Sequence, residues 1–247
     1  MNNLINSHRS IRKYKADPIE NELLSKILEA GTRASTTGNM QVYSMIVSRD
    51  PEIKKKLWEA HFKQDMVLKA PVHITFCADF NRFNTWCQIR NATPGYNNFL
   101  SFFTASIDAL LASQNVCLAA EDNGLGICYL GTATYNADKI IEILELPENV
   151  VPVAAIVMGY PEEKPEVTDR LPMKAVVHHE KYNNFTPELI DNIYFERESS
   201  KESIEFVKIN NKQSLAQIFT DIRYTKKDNE FFSEKYLATI KKQGFNI

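Results

Sequence analysis

The segment Ser7–Tyr14, SHRSIRKY, gathers a histidine, two arginines and a lysine around serine hydroxyls. Arg9 and Arg12, three positions apart, can share one face of a helical turn, and beside Ser10 they form a fork of donors suited to a phosphate. The same residues would also serve as a solvated basic turn. A second polar stretch, ASTTGNMQ from Ala34, lies between a helix pattern and an apolar run. Ser35, Thr36, Thr37 and Gly38 offer hydroxyls and backbone amides there, or form a plain helix C-terminal turn. His178 and His179 are adjacent and have no carboxylate or cysteine at ligand spacing, so they read as structural hydrogen-bonding residues and no metal site is expected. Cys77, Cys87, Cys117 and Cys128 form no CxxC pair, and Cys77 and Cys128 fall within apolar strand-like runs as small buried hydrophobes.

Composition narrows the classes that could use these groups. In 247 residues, 29 basic side chains stand against 31 acidic ones, a net charge of -2 that lacks the basic footprint of a nucleic-acid binder. The N-terminus has no signal-peptide core, and no run of about 18 uninterrupted apolar residues offers a membrane span. A cytoplasmic globular chain is the expectation. No GxGxxG follows a strand and no GxxxxGK[ST] loop occurs, which argues against a dinucleotide-binding Rossmann unit and a P-loop enzyme.

The elements that must position these residues alternate along the first 160 positions. DPIENELLSKILEA predicts a helix with Asp17 as its cap and Pro18 at its first position; DPEIKKKLWEAHF repeats that signal from Asp50. VYSMIVS, APVHITFCAD, ICYLG and VPVAAIVMGYP read as strands, and ADKIIEILELP as a helix between the last two. The stretch NNFLSFFTASIDALLASQNVCLAAEDNGLG predicts a helix of about 25 residues, apolar around most of its circumference and ended by Gly124 and Gly126. A helix of that kind must be buried on nearly all sides, which a second subunit would provide. Asp108, Gln114 and Asn115 oppose a membrane span.

HRSIRKY, ASTTGNMQ, CADFNR, AAEDNGLGICYLG, LELPENVVPVAAIVMGYP and DRLPMK occur in that order. Together they resemble the flavin-dependent nitroreductase family, in particular its oxygen-insensitive NADPH nitroreductases and NADPH-flavin oxidoreductases, over nearly the whole chain as far as LATIKKQGF. The resemblance implies an α+β fold of one domain over residues 1–247, a central mixed sheet flanked by helices with the long helix at a homodimer interface, and an extended, partly mobile excursion over residues 161–230. It implies FMN, held by His8, Arg9, Ser10 and Arg12, with Arg9 and Ser10 toward the ribityl phosphate and the pyrimidine side. A cation beside the pyrimidine ring favours the anionic reduced flavin. Ser35, Thr36, Thr37 and Gly38 match a loop that reaches the flavin of the other subunit. Gln64 matches a glutamine near the ring, and Tyr129, Leu130, Gly131 and Thr132 match a strand end where Leu130 and Gly131 can present backbone amides to flavin N5 and O4. Arg170 matches an arginine near the phosphate.

The chain departs from the family at Thr168, where a lysine is usual and for which Lys164 is a candidate substitute, and at Thr132, where glycine is frequent. Arg197, then Lys201, are the candidates for the 2′-phosphate of NADPH as electron donor. The implied activity is ping-pong transfer of hydride from NAD(P)H to FMN and of two electrons to small-molecule acceptors such as nitroaromatics, quinones or free flavins. The alternatives are a family member specialised for reductive dehalogenation or flavin supply, and a flavin- or nucleotide-binding module without turnover.

Overall fold

A computed structural model describes residues 2–247. Two compact units divide it, residues 2–166 with 232–247, and residues 167–231. In chain order the first contains α1 (Asn2–Asn6), α2 (Asn21–Thr32), β1 (Tyr43–Ser48), α3 (Pro51–Ala60), α4 (Met66–Lys69), β2 (Val72–Asp79), α5 (Asn81–Ile89), α6 (Phe99–Asp122), β3 (Gly126–Tyr129), α7 (Ala137–Ile143) and β4 (Val150–Gly159). The second contains α8 (Pro187–Glu198), α9 (Lys201–Ile209) and α10 (Leu215–Ile218), and α11 (Lys226–Lys242) carries the chain across residue 231.

The strands form one sheet in the order β1-β2-β4-β3, antiparallel at every ladder. The expected mixed sheet is antiparallel among the described strands, and parallel pairing appears in isolated bridges, one of them between Ser10 and Ile127 at the β3 edge. Along β4 the side chains alternate. Ala154, Ile156 and Met158 join a cluster with Ile27 of α2 and Ala112 and Val116 of α6, while Ala155 and Val157 join another with Leu57 of α3 and Ile140 of α7. Helices on both faces explain why this strand reads as an unbroken apolar run.

Two helices differ from their sequence signals. Asp17 does not cap α2, which starts at Asn21 with no side-chain cap. Ile19 is instead fully buried ahead of the helix, and its carbonyl accepts from Arg49 Nη2 at 3.2 Å, holding Pro18–Glu20 outside the first turn. Asp50 does cap α3, accepting from the amides of Glu52 and Ile53 at 2.9 Å each.

α6 is long and apolar enough to cross a membrane by length and composition alone. Within the chain, Ala105, Ala109, Ala112, Val116 and Ala120 bury one face in the core. Phe99, Leu100, Phe103, Ile107, Leu110 and Leu111, by contrast, stay 40–70% exposed. The single chain therefore covers only one side of the helix that composition expects to be covered all round.

Two polar side chains lie inside the second cluster. His61 caps the end of α3 and His73 stands in β2; both are fully buried, and their Nε2 atoms are 3.2 Å apart. Burial lowers His61 from its ordinary value to about 4. His73 is held well below the ordinary value by burial, then by His61 and the Lys54 ammonium. Both rings are neutral at pH 7. As pH falls below about 6.5 the unfolded chain binds protons that the folded chain refuses, so stability is full above that pH and declines until the folded value is reached. The unfolding free energy should fall between pH 6.5 and 4 less steeply in His61→Gln than in wild type, by about 1.4 kcal/mol per pH unit. Urea denaturation across this range checks it; identical slopes would show that His61 charges freely in the fold.

Candidate functional site

The backbone of residues 10–13 is fastened along β3. Ile11 N–H donates to Ile127 O at 2.8 Å, and Gly126 has no side chain because a Cβ there would meet Ile11 Cγ1 at 2.5 Å. Tyr14 OH donates to Ile11 O, and Glu163 Oε1 accepts from the amides of Arg12 and Lys13 at 2.7 and 3.0 Å. With its amide taken, Arg12 extends an exposed guanidinium that has no hydrogen-bond acceptor among the described residues. The parallel register at Ser10 and Ile127 puts Arg12 level with Tyr129.

Beyond Tyr129 the ladder ends. Leu130 N–H donates to Ala155 O at 2.8 Å, and the 3-10 turn over Gly131–Ala133 begins with Ala133 N–H donating to Leu130 O at 3.2 Å. The Leu130 amide expected to face a flavin is therefore taken by β4, and it is the amides of Gly131 and Thr132 that are left with no acceptor among the described residues. Gly131 is exposed, and a Cβ built on it would meet nothing within 4 Å. Tyr129 is anchored by its hydroxyl to Ser113 Oγ at 2.7 Å, and burial raises its pKa. Gln64 reaches the same turn: Phe62 and Lys63 both take positive φ, 53° and 58°, folding the chain back so that Gln64 Nε2 donates to Thr132 Oγ1 at 3.2 Å. Thr132 Oγ1 also lies 2.7 Å from His61 Nδ1. Arg12, Gln64, Leu130, Gly131 and Thr132 thus gather at the end of β3 at Tyr129, while Ser10 bridges Ile127 two residues earlier.

The other sequence candidates fall elsewhere. His8 Nδ1 pairs with Glu121 at 2.5 Å and Arg9 Nη1 donates to Pro165 O at 3.0 Å; both line a cleft of about 680 Å³ with Lys164, Glu162 and Glu163. Ser35, Thr36, Thr37 and Gly38 are held against α6, where fully buried Asp108 accepts from Thr37 N–H at 3.0 Å and Val42 N–H at 3.3 Å. Asp108 to Ser113 is about 7.5 Å along the axis, at about 1.5 Å per residue.

In the 167–231 unit, Arg170 Nη1 turns onto its own loop, donating to Thr168 Oγ1 at 2.7 Å and Asp169 O at 2.9 Å. Arg197 pairs with Asp169 at 2.5 Å, and exposed Lys201 opens α9. His178 Nδ1 accepts from Asn183 N–H at 3.2 Å and its ring lies 4.4 Å from Tyr182.

Asp108 carries a sequence signal, a carboxylate in an apolar helix, which points to a buried hydrogen-bonding role as readily as to an argument against a membrane. His61 and Glu163 give none, since their partners lie 71 and about 150 positions away.

The strand-end donors fit an oxidised flavin. Its pyrimidine edge presents carbonyl oxygens and ring-nitrogen acceptors, the unpaired amides of Gly131 and Thr132 supply donors, Arg12 supplies a cation, and the open side of Gly131 admits a flat ring.

Residues 5–160 match the model described as Nitroreductase family. The FMN reductase [NAD(P)H] of Bacillus subtilis strain 168 is 38% identical over 189 residues, 74% of this chain and 76% of the relative. A solved structure from Bacteroides fragilis NCTC 9343 superposes with a TM-score of 0.97 at 50% identity, over 99% of this chain and 100% of that one. The NADPH:FMN oxidoreductase from Vibrio harveyi complexed with NAD+ gives 0.77 at 28% identity, over 96% of each chain. By this family match and these likenesses, the chain belongs to the nitroreductase family.

Proposed function

We propose that this chain is an NAD(P)H-dependent FMN oxidoreductase of the cytoplasm that works as a homodimer on nitroaromatics, quinones or free flavins. The observation that carries the reading is the pair of amides at Gly131 and Thr132 that have no acceptor among the described residues, on an open turn just beyond Tyr129, with Arg12 level with Tyr129 on the adjoining segment. The names of the relatives support FMN with NAD(P)H as donor.

When bound, FMN supplies two-electron chemistry, taking hydride from a nicotinamide and serving an acceptor on the same face in alternate half-reactions. The chain supplies orientation and charge. Gly131 and Thr132 would hold the pyrimidine edge by their amides, and Arg12 beside it would stabilise negative charge gained on reduction. Ser10 and Gln64 would complete the polar rim, while His8, Arg9 and Arg170 stand as candidates for the phosphate. The loop Ser35–Gly38 would serve the flavin of the second subunit. The exposed face of α6 supports the dimer, since six large apolar side chains on one helix are the kind of patch an interface covers.

Purified protein should carry FMN whose yellow colour bleaches on anaerobic addition of NADPH. Arg12→Ala should weaken FMN binding by roughly 10- to 150-fold, the loss of one charge-assisted contact. Persistent colour with either nicotinamide would mark a binding module without turnover, and full affinity in the variant would remove Arg12 from the site.

Light scattering should give twice the 28.3 kDa chain mass, with an interface above roughly 2,000 Å². Leu110→Glu, which charges the exposed face, should shift the population to monomer. A wild-type monomer that binds FMN would overturn the shared-site reading.

NADPH should be preferred to NADH, with Arg197→Ala and Lys201→Ala lowering kcat/KM for NADPH by roughly 10- to 150-fold and leaving NADH almost unchanged. Equal use of the two by wild type would contradict this, and equal losses would reassign the residues to loop ordering.

A further inference from the structure

The hydrogen bonds beneath Thr132 can be assigned a direction. Gln64 Nε2 lies 3.0 Å from His61 O, a carbonyl that can only accept, so this atom is the amide nitrogen and its other N–H is the donor to Thr132 Oγ1 at 3.2 Å. Between the two buried rings, Nε2 faces Nε2 at 3.2 Å, a spacing that needs one proton shared between two neutral imidazoles. Two arrangements satisfy it. If His61 holds the Nε2 proton, its Nδ1 accepts from Thr132, and His73 must keep its own proton on Nδ1. That atom is buried with no partner, so an N–H donor would be stranded in the core. If His73 holds the Nε2 proton, its Nδ1 is only a bare acceptor, and His61 carries its proton on Nδ1 facing Thr132. An unpaired buried N–H is the rarer and costlier defect, which selects the second arrangement. The Lys54 ammonium, on α3, is a cation that opposes protonation of His73.

We propose that the buried chain from His73 to His61 to Thr132, joined by Gln64, forces the Thr132 hydroxyl to act as a hydrogen-bond donor into the flavin site, so that two histidines that touch no cofactor act as positioning residues for it. Thr132 Oγ1 accepts from His61 Nδ1–H and from Gln64 Nε2–H. Both lone pairs are then occupied, and its own proton can only be given away. No acceptor among the described residues takes it, and its neighbour Gly131 faces open space. The natural recipient is a ligand acceptor at this strand end. The inference rests on the placement of FMN proposed above, and it gives the threonine a use of its own, distinct from the two backbone amides.

Two measurements separate this inference from that placement. In 15N-histidine-labelled protein without flavin, long-range imidazole NMR at pH 7, assigned through His61→Gln and His73→Gln, should show both rings neutral, His61 protonated on Nδ1 and His73 on Nε2. His61 protonated on Nε2 would overturn the proposal whether or not FMN binds. In fluorescence titrations with FMN, Thr132→Val should weaken binding by roughly 2- to 12-fold, one ordinary hydrogen bond, and Thr132→Ser should restore it. Equal affinity of the valine and serine variants would overturn the role of the hydroxyl. Failure of the wild type to bind FMN, with the histidine protonation states as stated, would instead overturn the flavin placement and with it the donor role.

Discussion

The pairing of β3 with β4 is the constraint on which the rest depends. β4 is buried on both faces and hydrogen-bonded on both edges, so the register Gly126 to Gly159 through Tyr129 to Ile156 leaves no freedom in where β3 stops. One further bond, Leu130 N–H to Ala155 O, carries the chain to the rim, where the ladder ends and two amides are left over. Residues 10–13 depend on the same edge through Ile127. A slip of one residue would turn Tyr129 away from Ser113 and Thr132 away from His61 together. The donors of the candidate site, although they belong to a loop, are therefore positioned by an edge strand paired to the buried β4.

Polar groups inside the core repeat this logic. Asp108 is a buried carboxylate within an otherwise apolar face, and its two bonds to Thr37 and Val42 amides tie the loop after α2 to α6. His61 and His73 do the same for the turn after β3. Asp108 and His61 are buried polar side chains bonded directly to a segment of the rim, with His73 behind His61, so the core specifies the conformation of loops that would otherwise have only local bonds. The Asp108 loop and the β3 end lie against different parts of α6, whose outer side remains apolar and exposed. That division accords with a site completed by a second copy.

The nitroreductase architecture was legible because its signals are local or periodic. The strand run VPVAAIVMG, the Asp50 cap and the long apolar helix each announce themselves within a short window. The family was legible from six ordered segments. The start of α2 was not, because a tertiary bond from Arg49 to Ile19 O outweighs the capping signal at Asp17. Within the candidate site, the strand end at Gly131 was readable from an apolar run, but the choice of Gly131 and Thr132 over Leu130 as the open amides was not, since it depends on the Leu130 bond to Ala155 O in β4. The parting of Arg12 from His8 and Arg9 was not, since it depends on Glu163 and Pro165, about 150 residues away. His61 had no sequence mark at all, because its role exists only through His73, Gln64 and Thr132 as folded neighbours.

The central claim is that the strand end at Gly131 and Thr132 holds the flavin. A crystal structure of the FMN-loaded protein tests it most directly. The account predicts the pyrimidine edge within hydrogen-bond distance of the Gly131 and Thr132 amides, with the Arg12 guanidinium beside it. An isoalloxazine ring seated instead in the cleft between His8, Lys164 and Pro161, or anywhere else that leaves those amides free, would contradict it.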